Sequence, residues 1–130
     1  MCKLKVLSVG SESARLVRDA VALQPGSRLW VATSYWDLCS LSLQNHGELQ
    51  VAVLDASPSP SELRRRVEYI RRRWPDTAIV LVADSCMVLD DPLYDERVPS
   101  AIEPADLLGV IDELGSRGAP QHRGRLRHQR

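Results

Sequence analysis

The sequence lacks several features that would assign it to a common functional class. Its three cysteines, Cys2, Cys39 and Cys86, are odd in number and widely spaced. This pattern favours a reducing compartment and excludes both a disulfide framework and a zinc motif of closely spaced thiols. There is no run of about 18 apolar residues and no secretory leader. We therefore expect a cytoplasmic protein that makes no membrane contact.

The chain also has no phenylalanine, no excess charge of either sign and no nucleotide-binding glycine motif. Seventeen basic residues balance seventeen acidic ones, so the net charge indicates no class of partner. Residues 8–13 contain one glycine, Gly10, close to Glu12, which does not match a phosphate-cradling loop. The three histidines are scattered and form no catalytic arrangement with Ser, Cys or Asp. We predict no enzymatic activity, no cofactor and no metal ion.

What the sequence does contain is a strand–acid–turn–helix unit at residues 50–60. Four apolar residues, 51–54, run without a break up to Asp55. Such a run is typical of a strand that is buried on both faces. Ser59, Pro60 and Glu62 then form a helix start, with a capping residue, a proline at the first helical position and an acid three residues after the cap. Asp55 therefore lies at the carboxyl end of a buried strand, where α/β sheets place ligands and reactive groups.

The same alternation recurs along the chain and predicts an α/β fold. We expect strands over residues 3–9, 28–33, 49–55, 78–83 and 97–102, and helices over 11–23, 34–45, 60–74 and 104–114. Alternating strands and helices indicate a parallel sheet with helices on both faces. The last strand contains Pro99, which is tolerated at a sheet edge or bulge, and Gly115 is expected to end the last helix. Residues 84–96 give no clear assignment.

We predict one domain over residues 1–115. The remaining residues, 116–130, contain five arginines and no acid. Their composition of Gly, Pro, Gln, His and Arg predicts a basic, disordered tail or linker.

The order of these elements resembles that of the response-regulator receiver domain. The resemblance covers about residues 3–115 and rests on residues 51–55 with a proline three positions later, on residues 72–77 before the fourth strand, and on Pro104 at the start of the last helix. It implies a three-layer α/β/α fold with a five-stranded parallel sheet in the order 2-1-3-4-5, as in CheY-like and flavodoxin-like proteins. It also implies that Asp55 takes the place of the phosphoacceptor.

The other functional positions of the receiver family do not match. In that family an acidic pair holds Mg²⁺, and its positions fall here on Gly10 and Ser11. The hydroxyl residue at the end of strand four falls on Val82, and the lysine before the last helix falls on Glu103. The aromatic of strand five falls near Ser100. A lone Asp55 is a weak Mg²⁺ site. A carboxylate in place of the lysine repels a phosphoryl group, by about 1 to 4 kcal/mol for charges about 4 Å apart.

Two sets of charged residues are further site candidates. Glu12, Asp55 and Glu103 all follow strands at one end of the sheet and form a possible acidic cluster for a divalent cation. The alternative is that Glu12 and Glu103 face solvent near helix N-termini, where anions are favoured.

Basic residues are concentrated in the third helix and the tail, which together hold eleven of the seventeen, whereas residues 76–113 contain ten acids and one arginine. Arg64, Arg71 and Arg72 are candidate docking residues for an acidic partner, and the alternative is a solvated helix face. Nucleic-acid binding is not expected of the core and stays open only for the arginine-rich tail.

We interpret the chain as an atypical receiver-like domain of two-component signalling, a pseudo-receiver that acts as a protein–protein interaction module. Its partner would be a signalling kinase, an output domain or a second copy of the chain. Ordinary Mg²⁺-dependent phosphorylation is not expected. Two alternatives stay open, a phosphoacceptor receiver that uses Asp55 and a small flavodoxin-like cofactor-binding protein.

Overall fold

The computed structural model describes residues 4–41, 49–56, 59–84 and 94–117. The strands are β1 (Lys5–Val9), β2 (Arg28–Ala32), β3 (Val51–Asp55), β4 (Ala78–Val82) and β5 (Glu96–Val98). The helices in the described ranges are α1 (Ser11–Val21), α2 (Tyr35–Ser40), α3 (Pro60–Arg73) and α4 (Pro104–Arg117).

The strands form one parallel sheet in the order β2-β1-β3-β4-β5, which confirms the predicted topology. The two most apolar strands, β3 and β4, lie inside the sheet, and every residue of both is buried. In the register of this pair, Asp55 lies opposite Val82. The carboxyl ends of β1, β3 and β4 therefore meet at one edge, where Asp55 lies.

Two apolar layers cover the sheet. Leu38 of α2 joins Leu63 and Ile70 of α3 in one buried cluster, and Val17 of α1 joins Ile111 of α4 in the other. Each fully buried side chain of this size contributes about 1.5 to 3 kcal/mol relative to exposure. The sheet is thus sandwiched between α2 and α3 on one face and α1 and α4 on the other, as the α/β/α prediction required.

Side-chain caps begin two helices at the predicted places. Ser34 Oγ accepts a hydrogen bond from the Asp37 N–H at 3.1 Å, and Asp37 Oδ2 accepts one from the Thr33 N–H at 3.2 Å. Ser59 Oγ accepts a hydrogen bond from the Glu62 N–H at 3.3 Å. These caps partner N–H groups that a helix N-terminus leaves without acceptors.

Several predicted boundaries were wrong. α1 ends at Val21 and not at residue 23, and α2 ends at Ser40, where Leu41 is extended, before the predicted end at residue 45.

β5 ends at Val98, so Pro99 follows the strand and removes no hydrogen bond from it. The last helix runs through Gly115 to Arg117. A Cβ at Gly115 would lie 3.3 Å from Leu4 Cδ2, so this glycine allows α4 to pack closely against the start of the sheet and does not act as a stop signal.

Several predictions lie outside the described residues. They are the end of the second predicted helix at residues 42–45, most of the unassigned stretch 84–96, and the tail beyond residue 117. Within the described ranges, no helix combines the length and apolarity needed to cross a bilayer.

Candidate functional site

Asp55 caps a helix that belongs to a different part of the chain. Its carboxylate accepts hydrogen bonds from two backbone N–H groups of the first turn of α1, Glu12 N at 3.0 Å from Oδ2 and Ser13 N at 2.6 Å from Oδ1. These are N–H groups that the helix itself cannot satisfy, and the positive end of the helix dipole also favours an anion there. Asp55 is only 4% exposed, so the carboxylate is held inside the protein by α1.

Gly10 makes this capping contact geometrically possible. It lies between β1 and α1 with φ 112° and ψ 156°, a backbone conformation that is essentially restricted to glycine. A Cβ at this position would overlap the Asp55 carboxylate. The resemblance places part of the receiver family's acidic pair on Gly10, and here the absence of any side chain lets Asp55 reach the helix.

Ser13 completes the junction. Its side chain is fully buried, and its Oγ lies 3.0 Å from the Val9 carbonyl oxygen and 3.3 Å from that of Gly10. The hydroxyl therefore links the first turn of α1 back to the end of β1, while the Ser13 N–H donates to Asp55.

Burial and hydrogen bonding act in opposite directions on the pKa of the Asp55 carboxyl. Burial raises the pKa of the Asp55 carboxyl above its ordinary value, although the N–H groups of Glu12 and Ser13 stabilise the anion and oppose the shift. The nearby charge of Glu12 adds to the increase in pKa.

A cleft of about 150 Å³ opens beside Asp55 at the carboxyl edge of the sheet. Its walls are formed by Glu12, Asp55, Ala56, Val82, Ala83, Asp84 and Ser100. Ser100 Oγ donates a hydrogen bond to Asp84 Oδ1 at 2.8 Å. The lining thus combines three apolar residues with three carboxylates, one of which is already used as a helix cap.

The structure brings together two members of the predicted acidic cluster and not the third. Glu12 and Asp55 line the cleft, whereas Glu103 is exposed and lies outside its lining. The third carboxylate of the cleft is Asp84, which sequence reasoning missed because residues 84–96 had no clear assignment. No three His, Cys, Asp or Glu side chains in the described part of the chain are placed to hold a metal ion.

The predicted docking arginines lie elsewhere, on α3. Arg64 and Arg72 are exposed, and Arg71 is half-buried. None of the three lines the cleft. The cleft and the arginines of α3 are therefore separate features, and only the cleft contains Asp55.

No protein-family model and no curated protein matches the sequence. Solved structures do match. A response regulator from Thermotoga maritima has a TM-score of 0.67 at 17% identity, covering 88% of this chain and 99% of that one. The chemotaxis response regulator CheY4 of Vibrio cholerae has a TM-score of 0.66 at 13% identity, covering 87% and 99%.

A protein named as an adenylate cyclase from Rhodopirellula baltica is also similar, with a TM-score of 0.65 at 9% identity, covering 98% of this chain and 95% of that one. At such low identity these likenesses describe architecture. Together with the strand order, they show that the chain has the fold of CheY-like response-regulator receiver domains.

Proposed function

We propose that this chain is an atypical receiver-type signalling module that works by binding a protein partner, without ordinary Mg²⁺-dependent phosphorylation. The observation that carries the proposal is the use of Asp55. Both of its oxygens accept hydrogen bonds from N–H groups of α1. Each oxygen keeps a second lone pair, but the hydrogen bonds draw electron density from both oxygens and so weaken them as nucleophiles towards a phosphodonor. Hydrogen bonds to charged groups are worth about 1.5 to 3 kcal/mol each, so the cap also fixes the orientation of the carboxylate against α1.

The surroundings of Asp55 also oppose phosphoryl transfer. Phosphoryl transfer is accelerated mainly by positioning and by neutralising negative charge. The cleft instead places two further carboxylates, those of Glu12 and Asp84, in its lining. Val82, opposite Asp55 in the sheet, has no hydroxyl to donate to a phosphoryl oxygen. A phosphoryl group on Asp55 would therefore add negative charge to a cleft that is already acidic, and this charge would need an added cation to neutralise it.

In this proposal the module belongs to two-component-type signalling in the cytoplasm and has no catalytic activity of its own. A kinase, an output domain or a second copy of the chain would bind it and be regulated by occupancy alone. The receiver fold supports this assignment because folds of this type provide helical faces for docking around a rigid sheet.

The test is the intact mass of the full chain after incubation with acetyl phosphate and Mg²⁺, measured beside an Asp55→Asn variant. A receiver known to accept phosphate serves as the positive control in the same buffer. We expect no adduct on this chain. A single phosphoryl adduct that is absent from the Asp55→Asn variant would overturn the proposal. It would establish the alternative, a phosphoacceptor receiver that uses Asp55.

A further inference from the structure

One aromatic side chain of α2, Tyr35, lies against an arginine of α3. The Arg65 guanidinium carbon is 4.3 Å from the centroid of the Tyr35 ring, within the range of a cation–π contact. The Tyr35 and Tyr69 rings meet edge to face, with centroids 6.0 Å apart and planes at 77°. α2 therefore adds an aromatic ring to the surface of α3, a helix whose own sequence is rich in arginine.

Arg73 fixes the other end of this arrangement. Its guanidinium donates hydrogen bonds to Tyr69 Oη at 2.7 Å and to the Leu41 carbonyl oxygen at 3.3 Å. It also lies 5.1 Å from the ring of Trp74, which is buried. Long side chains that are already held in place lose less conformational freedom when a partner binds.

We group these residues with the exposed tryptophan of α2 and the exposed Arg72 of α3, and we name the set the Arg–aromatic face. Its members are Tyr35, Trp36, Arg65, Tyr69, Arg72 and Arg73. Trp36 is 79% exposed, and Arg65 and Arg72 are exposed as well. Trp, Tyr and Arg are the residue types that most often dominate binding energy at protein interfaces.

The charge of α3 is not neutralised within the helix. It contains six arginines and two glutamates, and Glu62 is already engaged by Arg65 at 3.6 Å and by Arg66 at 3.4 Å. The excess of arginine in α3 favours a partner that carries negative charge.

We propose that the Arg–aromatic face is the docking surface for an acidic protein segment that places an apolar side chain beside its carboxylates. The inference rests on the proposed interaction function and names the partner's chemistry. Arginine pairs with carboxylates through two parallel hydrogen bonds, and Trp36 offers the apolar contact. A nucleic acid fits less well, since Tyr35 and Tyr69 are already engaged by Arg65 and Arg73 and few open rings remain for base stacking.

The experiment measures binding of a fluorescein-labelled synthetic peptide, glutamates alternating with leucines, to the full chain by fluorescence anisotropy. We expect binding at low salt that weakens as ionic strength rises. Trp36→Ala, which changes no charge, should weaken binding about tenfold, and the double variant Arg65→Glu/Arg72→Glu should abolish it. Arg15→Glu/Arg18→Glu, which reverses two exposed arginines of α1 on the other face of the sheet, is the matched control and should bind like the unmodified chain.

Four results would overturn the inference. Unchanged binding by Trp36→Ala, or an equal loss in the α1 control, would mean unspecific attraction by charge. Tighter binding of a labelled oligonucleotide, lost in the same variants, would make the face a nucleic-acid site. A dimer seen by sedimentation velocity and lost in these variants, without peptide binding, would make the occupant a second copy. Thermal melting checks that each variant folds. The phosphoryl-adduct test is independent of peptide binding, so it distinguishes a failure of the docking surface from phosphorylation of Asp55.

Discussion

The side chain of Asp55 caps α1 by accepting a hydrogen bond from the N–H of Glu12, 43 residues earlier in the chain. Sequence reasoning placed this residue correctly at the carboxyl end of β3, because the apolar run before it is a local signal. It did not predict the cap, because the contact depends on the backbone angle of Gly10 and on the pairing of β1 with β3. The absence of a side chain at Gly10 was interpreted only as a lost metal ligand.

The Gly10–Asp55 contact predicts a large effect of a single methyl group. Gly10→Ala should destabilise the protein by about 2 to 4 kcal/mol, since it combines an unfavourable positive φ with displacement of the Asp55 cap. Gly26→Ala is the control, because Gly26 also has positive φ, 94°, but lies in an exposed turn. The measurement is urea unfolding of the three proteins. Equal losses in both variants would show that backbone strain alone matters at Gly10.

The raised pKa of Asp55 predicts the sign of a pH effect. A carboxyl whose pKa is higher in the folded than in the unfolded state favours folding when protonated, and this contribution declines as pH rises through the folded pKa. The free energy of unfolding of the unmodified chain, minus that of Asp55→Asn, should therefore fall as pH rises from about 3 to 7. Parallel urea titrations across this range measure the difference.

Asp37 provides the opposite control. Hydrogen bonds from the Thr33 side chain, and then from its backbone N–H, lower the pKa of the exposed Asp37 carboxyl. Its contribution is present above the unfolded pKa and is lost as pH falls through the folded pKa, so the difference from Asp37→Asn should rise with pH. If the difference for Asp55 rises as well, the N–H groups of α1 outweigh burial at Asp55.

At the level of elements, local patterns were sufficient to predict the order of strands and helices and most of their bounds. The apolar runs of β3 and β4 and the caps at Ser34 and Ser59 are signals within a few residues. The errors at Pro99 and Gly115 have a different origin. Proline and glycine often end strands and helices, but here their roles depend on tertiary structure. Pro99 follows the end of the edge strand, and Gly115 lies against Leu4.

Two glycines of α4 give a matched test of this explanation. No atom lies within 4 Å of a Cβ built at exposed Gly109, whereas one at Gly115 would lie 3.3 Å from buried Leu4. Gly109→Ala should stabilise the protein by about 0.5 to 1 kcal/mol through helix propensity. Gly115→Ala should lose that gain, because Leu4 must shift. Thermal unfolding compares the two, and an equal gain would show that α4 has room at Gly115.

Over the whole molecule, charge is separated although its sum is zero. The arginines of α3 were visible in the sequence, and so was the acidic stretch of residues 76–113. The contact between Tyr35 and α3 was not visible, because Tyr35 belongs to α2 and reaches Arg65 and Tyr69 only through tertiary packing. The cleft has the same limitation, since its lining comes from α1, from the last residues of β3 and β4, and from the segments that follow β3, β4 and β5. Surfaces assembled from several elements lie beyond local patterns.

The separation of charge predicts unequal effects of equal charge changes. Arg64→Gln/Arg72→Gln and Arg15→Gln/Arg18→Gln both remove two positive charges, so the net charge of the full chain changes equally. α1 balances its two arginines with Glu12 and Asp19, and Arg15 lies 3.3 Å from Glu12, whereas α3 has six arginines and two glutamates. On a cation exchanger at neutral pH, the α3 pair should elute at clearly lower salt than the α1 pair, because retention depends on local charge density. Identical elution of the two variants would mean that the molecule acts as an evenly mixed charge and that α3 presents no basic surface.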